Sequence, residues 1–288
     1  MSEDFDIPFK SNMVPKILGE DTKIQFRCHK GISCFNACCK KADIPLTPYD
    51  VLRLSRRFGK TSGEFLKQHT VPYEMDADKV PGIKMRTDEE GACLFVTGEG
   101  CSVYEDRPAA CRYYPVGHLA VKPKEEKTER TGFFLIKEAH CKGHEEDREI
   151  SIGDYRKEQE VEIFDEMNRE WYQIMLKKKS AGPTVGKPPE MSLQLFFMCS
   201  YDLDRFRRFV LSDGFKNSYL LEDEAYAELE RDDEALLKFG FRLLKQVLFG
   251  ELNIPERKGI WDKRFEERKE VFELRRQAEI ALKQQAED

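Results

Sequence analysis

The chain has 288 residues, of which 40% are hydrophobic and 35% charged, with a formal net charge of -6. That length suits one or two domains with a sizeable core, and the acidic balance argues against a nucleic-acid binder, which normally presents a basic face. No apolar run approaches the ~20 residues of a membrane span. The start, MSEDFDIPFK, is acidic and lacks the apolar region of a signal peptide. The expectation is a cytoplasmic protein with no membrane and no nucleic-acid partner.

Nine cysteines are present, and eight of them lie between residues 28 and 141. In a reducing compartment, clustered thiols more often bind metal or do redox chemistry than form disulfides. The asymmetry also divides the chain, and two regions are expected, 1–148 around the cysteines and 149–288 beyond them. They could equally form one continuous body.

In chain order, the first group is Cys28, Cys34, Cys38 and Cys39, with C-x5-C-x3-C-C spacing. Neighbouring side chains in extended backbone point to opposite sides, so Cys38 and Cys39 are expected not to grip one small ion together. They serve different centres, or reach different irons of one larger cluster, or one is a free thiol held for chemistry. The stretch TPYDVLRLSRRFG (47–59) predicts a helix, with Thr47 as cap, Pro48 at its first position and Gly59 as stop. A second short helix is predicted from Thr61 or Ser62. The runs GIKMRT (82–87), CLFV (93–96), GHLAV (117–121) and TGFFLIK (131–137) predict short strands, the last two pairing as a hairpin around the charged KPKEEKTER.

The second cysteine group lies in CLFVTGEGCSVYEDRPAACRYYP (93–115), which contains Cys93, Cys101 and Cys111, and Cys141 follows after a longer gap. Gly98 and Gly100 allow tight backbone beside Cys101, where amide hydrogens can point at sulfur. Pro108 suits a helix start leading into Cys111. Arg107 and Arg112 place positive charge beside an anionic thiolate site. Phe95, Tyr104, Tyr113 and Tyr114 either form an aromatic shell that limits solvent or simply fill a small core. Eight thiols suffice for two four-thiolate centres. All-thiolate ligation suits both iron-sulfur clusters and zinc. The irregular spacings, the doubled cysteine and the two arginines favour iron-sulfur over the compact knuckles usual for zinc.

From about 150 onward the period becomes helical. YRKEQEVEIFDEMNREWYQIML (155–176) predicts one helix with Phe164, Met167, Trp171 and Ile174 on its buried face. KKKSAGPTVGKPPEMS (177–192) reads as a linker, with its lysines a solvated helix end. Three helical stretches follow, YDLDRFRRFVLSDG, then LEDEAYAELERDDEALLKFGFRLLKQVLFG, then a run from about Trp261 laced with charge pairs. Cys199, within LQLFFMCSY, reads as a buried small hydrophobe. The fold class expected is α+β, with short strands and loops around a cysteine-ligated metal region and a mainly helical C-terminal half.

The arrangement C-x7-C-S-V-Y-E-D-R-P-A-A-C-R-Y-Y-P resembles the pattern of the CxxCxxCC cysteine-cluster family, also called the YkgJ family. The resemblance covers residues 28 to 141, and YDLDRFRRF (201–209) is similar to a further stretch of that family. The first cysteine group is more widely spaced here than the family's C-x2-C-x2-CC. The resemblance implies a zinc- or iron-chelating region whose metal ligands are Cys28, Cys34, Cys38, Cys39, Cys93, Cys101, Cys111 and Cys141. The family includes flagellin lysine N-methylases.

Three functions follow as expectations. The first is a metalloprotein with one or two iron-sulfur clusters, 4Fe-4S in type, with Arg107 and Arg112 offsetting cluster charge, and a redox or electron-transfer role with a redox or protein partner. The second is a protein lysine N-methyltransferase, implied only by the resemblance. The third is a zinc-stabilised interaction protein without enzymatic activity. The chain lacks a C-x3-C-x2-C triad, a P-loop and a convincing strand with a glycine-rich turn for S-adenosylmethionine or a dinucleotide. His29 and His140 each adjoin a ligand candidate, but a lone histidine beside a turn is more often simply hydrogen-bonded.

Overall fold

The structure is a computed structural model that describes residues 3–4, 16–76, 79–121, 130–180 and 190–259, with single positions at 266 and 273. It is mixed, with short two-stranded sheets in the N-terminal half and mostly helices after residue 150. The expected α+β class therefore holds. The described residues within 1–60, 67–71 and 83–166 form one compact unit, and those within 61–66, 72–82 and 167–288 form a second. The charged stretch 122–129, most of the 177–192 linker and the run from Trp261 lie outside the described residues, except for its single positions 266 and 273.

The chain opens with β1 (Glu3–Asp4), β2 (Lys16–Ile17) and β3 (Lys23–Gln25). Next come α1 (Pro48–Phe58), α2 (Ser62–His69), β4 (Thr70–Glu74) and β5 (Pro81–Met85). The short pieces β6 (Val96–Thr97), β7 (Gly100–Cys101) and α3 (Ala109–Tyr113) carry three cysteines between them and their flanks. Then follow β8 (Val116–Val121), β9 (Arg130–Leu135), β10 (Glu149–Ser151) and α4 (Ile152–Glu158). The antiparallel pairs are β1–β2, β3–β10, β6–β7 and β8–β9, and β4 joins β5. The hairpin expected from GHLAV and TGFFLIK is β8–β9, with His118 opposite Phe133. CLFV is not a strand: it is a turn that begins at an isolated bridge between Thr87 and Cys93 and reaches β6 only at Val96. Its correction has a local cause, because the Cys93 carbonyl accepts from the Val96 amide at 3.0 Å and closes the turn.

Helix α1 forms where its sequence chemistry requires. Asp50 N–H donates to Thr47 Oγ1 and Thr47 N–H donates to the Asp50 carboxylate, a reciprocal capping box, and Pro48 occupies the first turn. At the other end Gly59 takes φ 57°, with Gly59 N–H on Arg56 O and Lys60 N–H on Ser55 O. Around β3, β8, β9, β10 and α4 lies a core of Leu18, Ile24, Phe26, Val116, Phe133 and Ile152, against which Cys141 packs.

The single helix expected over 155–176 is two. Helix α4 ends and α5 (Glu162–Ser180) begins across Glu160, which takes φ 53°. Val161 N–H bonds Arg156 O and Glu160 N–H bonds Lys157 O, the pattern that a glycine usually supplies at a helix end. The buried side of α5 is as expected: Phe164, Met167, Trp171 and Ile174 are all buried.

The second unit continues through α6 (Glu190–Tyr201), α7 (Leu203–Val210), α8 (Asp213–Lys216), α9 (Asp223–Arg231) and α10 (Asp233–Phe249). The long stretch expected from 221 onward breaks at Asp232, whose carboxylate accepts from the Glu234 and Ala235 amides and caps α10. The YDLDRFRRF stretch serves as a pair of caps. Asp202 accepts from Arg205 N–H, while Asp204 accepts from Ser62 N–H at 2.6 Å and so satisfies the start of α2.

Cys199 is fully buried in α6, beside Gly240 of α10. A Cβ on Gly240 would lie 3.1 Å from the Cys199 carbonyl oxygen and 3.1 Å from the Phe206 ring. Gly240→Ala is therefore expected to destabilise the chain by about 1–2 kcal/mol in denaturant unfolding, although alanine favours helix. A gain in stability would mean that α6 and α10 pack less closely than described.

Candidate metal centre

All eight cysteines of the cluster are unpaired thiols in the first unit, and short backbone bonds bring them together. Cys28 follows β3, where Phe26 N–H donates to Arg148 O at 2.9 Å and Arg27 N–H to Gly143 O at 3.0 Å. Those two bonds set Cys28 beside the turn that carries Cys141. The next amide of that turn, Lys142 N–H, donates to Cys34 Sγ at 3.2 Å. Cys141 thus shares a neighbourhood with two thiols more than a hundred residues earlier in the chain, Cys28 and Cys34.

Cys38 and Cys39 sit in a single turn of 3-10 helix, Ala37–Cys39, entered through Asn36 in the left-handed region at φ 64°. The Asn36 side chain donates to Thr97 O at 3.1 Å and ties this turn to β6. The expectation that the adjacent cysteines point apart assumed extended backbone. In the tight turn their sulfurs lie 4.0 Å from one another. The pair holds on to one proton between them: their hydrogen bond favours the Cys38 thiolate and keeps the proton on Cys39.

Cys93 is tied to the same turn by its backbone. Cys93 N–H donates to Cys39 O at 2.8 Å. Cys101 in β7 stands opposite Val96, and Ser102 N–H donates to Phe95 O at 2.8 Å, so the short hairpin folds Cys101 back toward Cys93. Gly100 has φ 125° and the Phe35 ring 3.3 Å from the position of a Cβ, so that site requires glycine, whereas Gly98 stands in open space. Cys111 lies in α3, preceded by Pro108 as cap. Burial raises the Cys111 thiol, and the charges of Cys93, Asp50, Cys101 and Cys38 raise it further. Burial likewise raises Cys93, Cys101 and Cys141, and it pushes Cys28 up to about 11 with help from Cys38, Cys34 and Cys141.

Against burial stand backbone amides aimed at sulfur. The Phe95 and Val96 amides face Cys93, the Val103 amide faces Cys101, and the Gly143 amide faces Cys141. In each of the three, the amide two residues on points back at the thiol. Such bonds favour the thiolate, the form that ligates metal.

Two arginines act on Cys101, Arg107 and Arg57. Arg57 was not visible as a site residue in the sequence; its signal is the Arg53/Arg57 pair one helical turn apart on α1. Both grip Asp106, Arg53 through Nε at 2.9 Å and Arg57 through Nη1 at 2.9 Å. Arg57 also donates to Ser102 O at 3.0 Å. Arg107 donates to Tyr104 O and to the Gln159 side chain, with its guanidinium 4.0 Å from the Tyr104 ring centroid. Arg112 is 1% exposed and spends its donors on backbone carbonyls of Glu105, Arg107 and Gln159. Of the aromatics, Phe95 and Tyr113 are buried and Tyr104 is exposed. Tyr114 donates to Glu138 at 2.8 Å and also lies in hydrogen-bonding contact with Cys141.

The histidines have other partners. His29 accepts from the Gly31 amide at Nδ1 and pairs with Glu146 through Nε2 at 3.1 Å. His140 lies 3.6 Å from Glu138. Among the described residues, no three histidine, cysteine, aspartate or glutamate side chains are already set around one point as a metal-holding group. The donor chemistry of this region, eight thiols in one unit with backbone amides facing several of the sulfurs, is the kind that suits a soft metal such as zinc or iron.

A frame of two-stranded sheets and tight turns gathering thiols in this way defines a cysteine-rich chelating domain. Residues 27–142 match the family model CxxCxxCC, described as a "Putative zinc- or iron-chelating domain". The match encloses the eight clustered cysteines and is with the family to which the sequence shows its resemblance, although it does not extend to YDLDRFRRF. No curated protein and no solved structure matches the chain. Among the described residues, no helix is long and apolar enough to cross a membrane.

Proposed function

We propose that the eight cysteines hold one or two iron-sulfur clusters and that the chain works in electron transfer or redox-linked chemistry with a redox partner. The observation that carries this reading is the set of amide hydrogens facing Cys34, Cys93, Cys101 and Cys141. Hydrogen bonds to ligand sulfur, together with net charge and solvent exposure, set the reduction potential of such a cluster. When bound, the cluster supplies one-electron transfer. The protein's part is to hold the thiolates, to face them with amide dipoles, and to bring the positive charges of Arg57 and Arg107 to Cys101.

A zinc-stabilised domain is the second reading, and a specific observation favours it. Among the described residues, the sheets of the first unit are each only two strands wide, and isolated two-stranded sheets are marginal in water without a staple. Electron paramagnetic resonance during a reductive titration of anaerobically purified protein separates the two. A reversible signal with bleaching of visible colour supports the cluster, and colourless, silent protein carrying zinc replaces it with the staple.

A further inference from the structure

We propose that residues 27–42 form the docking surface for an acidic one-electron carrier, and that electrons enter or leave the cysteine region there, beside Cys28 and Cys38. The proposal rests on the redox reading above and adds to it the place and the charge of the partner. One electron passes between the carrier and the cluster, the one oxidised as the other is reduced, and no atom moves with it.

The chain is acidic overall, with a formal net charge of -6, and this segment is not. RCHKGISCFNACCKKA carries Arg27, Lys30, Lys40 and Lys41 and no acidic residue. All four cations are exposed. Lys30 meets Glu99 at 3.0 Å in a pair that is itself open to solvent, where such a contact is weak. Arg27, Lys40 and Lys41 have no ion pair among the described residues.

The same segment brings thiols to the surface: Cys28 and Cys38 are exposed, while the other cysteines are half-buried or buried. Three bonds anchor it, Arg27 N–H to Gly143 O at 3.0 Å, the Asn36 side chain to Thr97 O at 3.1 Å, and Ala42 N–H to Gly91 O at 3.0 Å. The cations are thus held beside the exposed thiols, Arg27 adjoining Cys28 and Lys40 two residues from Cys38. Nearby acids are already engaged: Asp43 pairs with Lys84 at 2.7 Å, Glu145 with Lys142 at 2.8 Å, and Glu146 with His29 at 3.1 Å. Glu89 and Glu90 stand in the turn that Gly91 N–H closes on Asp88 O, and they bound the basic surface on that side. A local field of this sign steers an anionic surface toward the thiols and repels a cationic one.

The test is stopped-flow oxidation of the anaerobically reduced full-length protein by two one-electron probes of opposite charge, the anionic cobalt(III)–EDTA complex and the cationic hexaamminecobalt(III). Between about 0.01 M and 0.15 M ionic strength the rate with the anion is expected to fall about threefold, and the rate with the cation to rise. A field set by the net charge alone gives the opposite signs. The variant Arg27→Gln, Lys40→Gln, Lys41→Gln, with folding checked by circular dichroism and metal content by elemental analysis, is expected to lose the fall. If that variant fails to fold, the sign of the wild-type salt dependence decides. An anion rate that rises with salt in the wild type, or a fall that persists in the folded variant, overturns the docking surface and leaves the redox reading intact. Protein that takes up no electron overturns both.

Discussion

Replacing Arg112 with methionine is expected to lower stability by about 3–5 kcal/mol, read as a fall in the denaturant midpoint at unchanged slope. Its guanidinium is 1% exposed, lies 4.5 Å from the Phe164 ring centroid, and donates to three backbone carbonyls. Two of these, Glu105 O and Arg107 O, flank the turn before α3, and the third, Gln159 O, lies at the break between α4 and α5. Methionine fills much of the volume and supplies no donor, so one buried and two half-buried carbonyls lose their partner. Lysine at the same position keeps the charge but not the planar fork, and an intermediate loss is expected. A methionine variant within 1 kcal/mol of the wild type would show that these carbonyls find other donors.

Asp50→Ala is expected to cost about 2–4 kcal/mol and, if the proposed metal reading holds, to lower the metal content of the chain. The Asp50 carboxylate is fully buried and accepts from two amides, Thr47 N–H at 2.7 Å and Ala109 N–H at 2.8 Å. One bond caps α1 and the other fixes the start of α3, which carries Cys111. Burial raises the Asp50 carboxyl to about 6, with the two amides and Arg112 opposing it. The folded pKa thus exceeds the unfolded value, so the folded chain holds the extra proton between pH ~4 and ~6. Its contribution is complete below pH ~4 and is lost as pH rises through ~6, by about 3 kcal/mol in the metal-free chain. Asp50→Asn is expected to remove that slope. A wild-type stability flat from pH 4 to 6, with other carboxylates accounted for by the variant, would contradict it.

What the sequence reveals depends on how local its cause is. Helix α1 is legible because both ends carry specific chemistry within four residues, a capping box and a left-handed glycine. The α4–α5 break is not, because Glu160 takes the left-handed position without the glycine that would announce it. The break at Asp232 does carry a signal, an aspartate two residues before an apolar helical run, hidden inside a stretch whose helical period continues on both sides. The pairing of β3 with β10 joins three-residue strands more than a hundred residues apart, which no periodicity can foretell.

The cysteine site divides in the same way. The eight candidate ligands can be read as residues, since the thiols are dense in one half of the chain. Their neighbours in space cannot, because these are set by single long-range bonds such as Arg27 N–H to Gly143 O and Cys93 N–H to Cys39 O. The orientation of Cys38 and Cys39 is hidden from the sequence for a local reason: a left-handed Asn36 starts a 3-10 turn in place of extended backbone. Asp50, Arg53 and Arg57 hold the turn around Cys101 and Cys111 from α1, and their role appears only once that helix is placed against residues 102–109.

The measurement that bears most directly on the account is iron, zinc and acid-labile sulfide per chain, with an absorption spectrum, on protein purified without oxygen. Iron and sulfide in equal amounts, with visible bands that bleach on reduction, is the result the account predicts. Protein that carries neither iron nor sulfide after anaerobic reconstitution would contradict it.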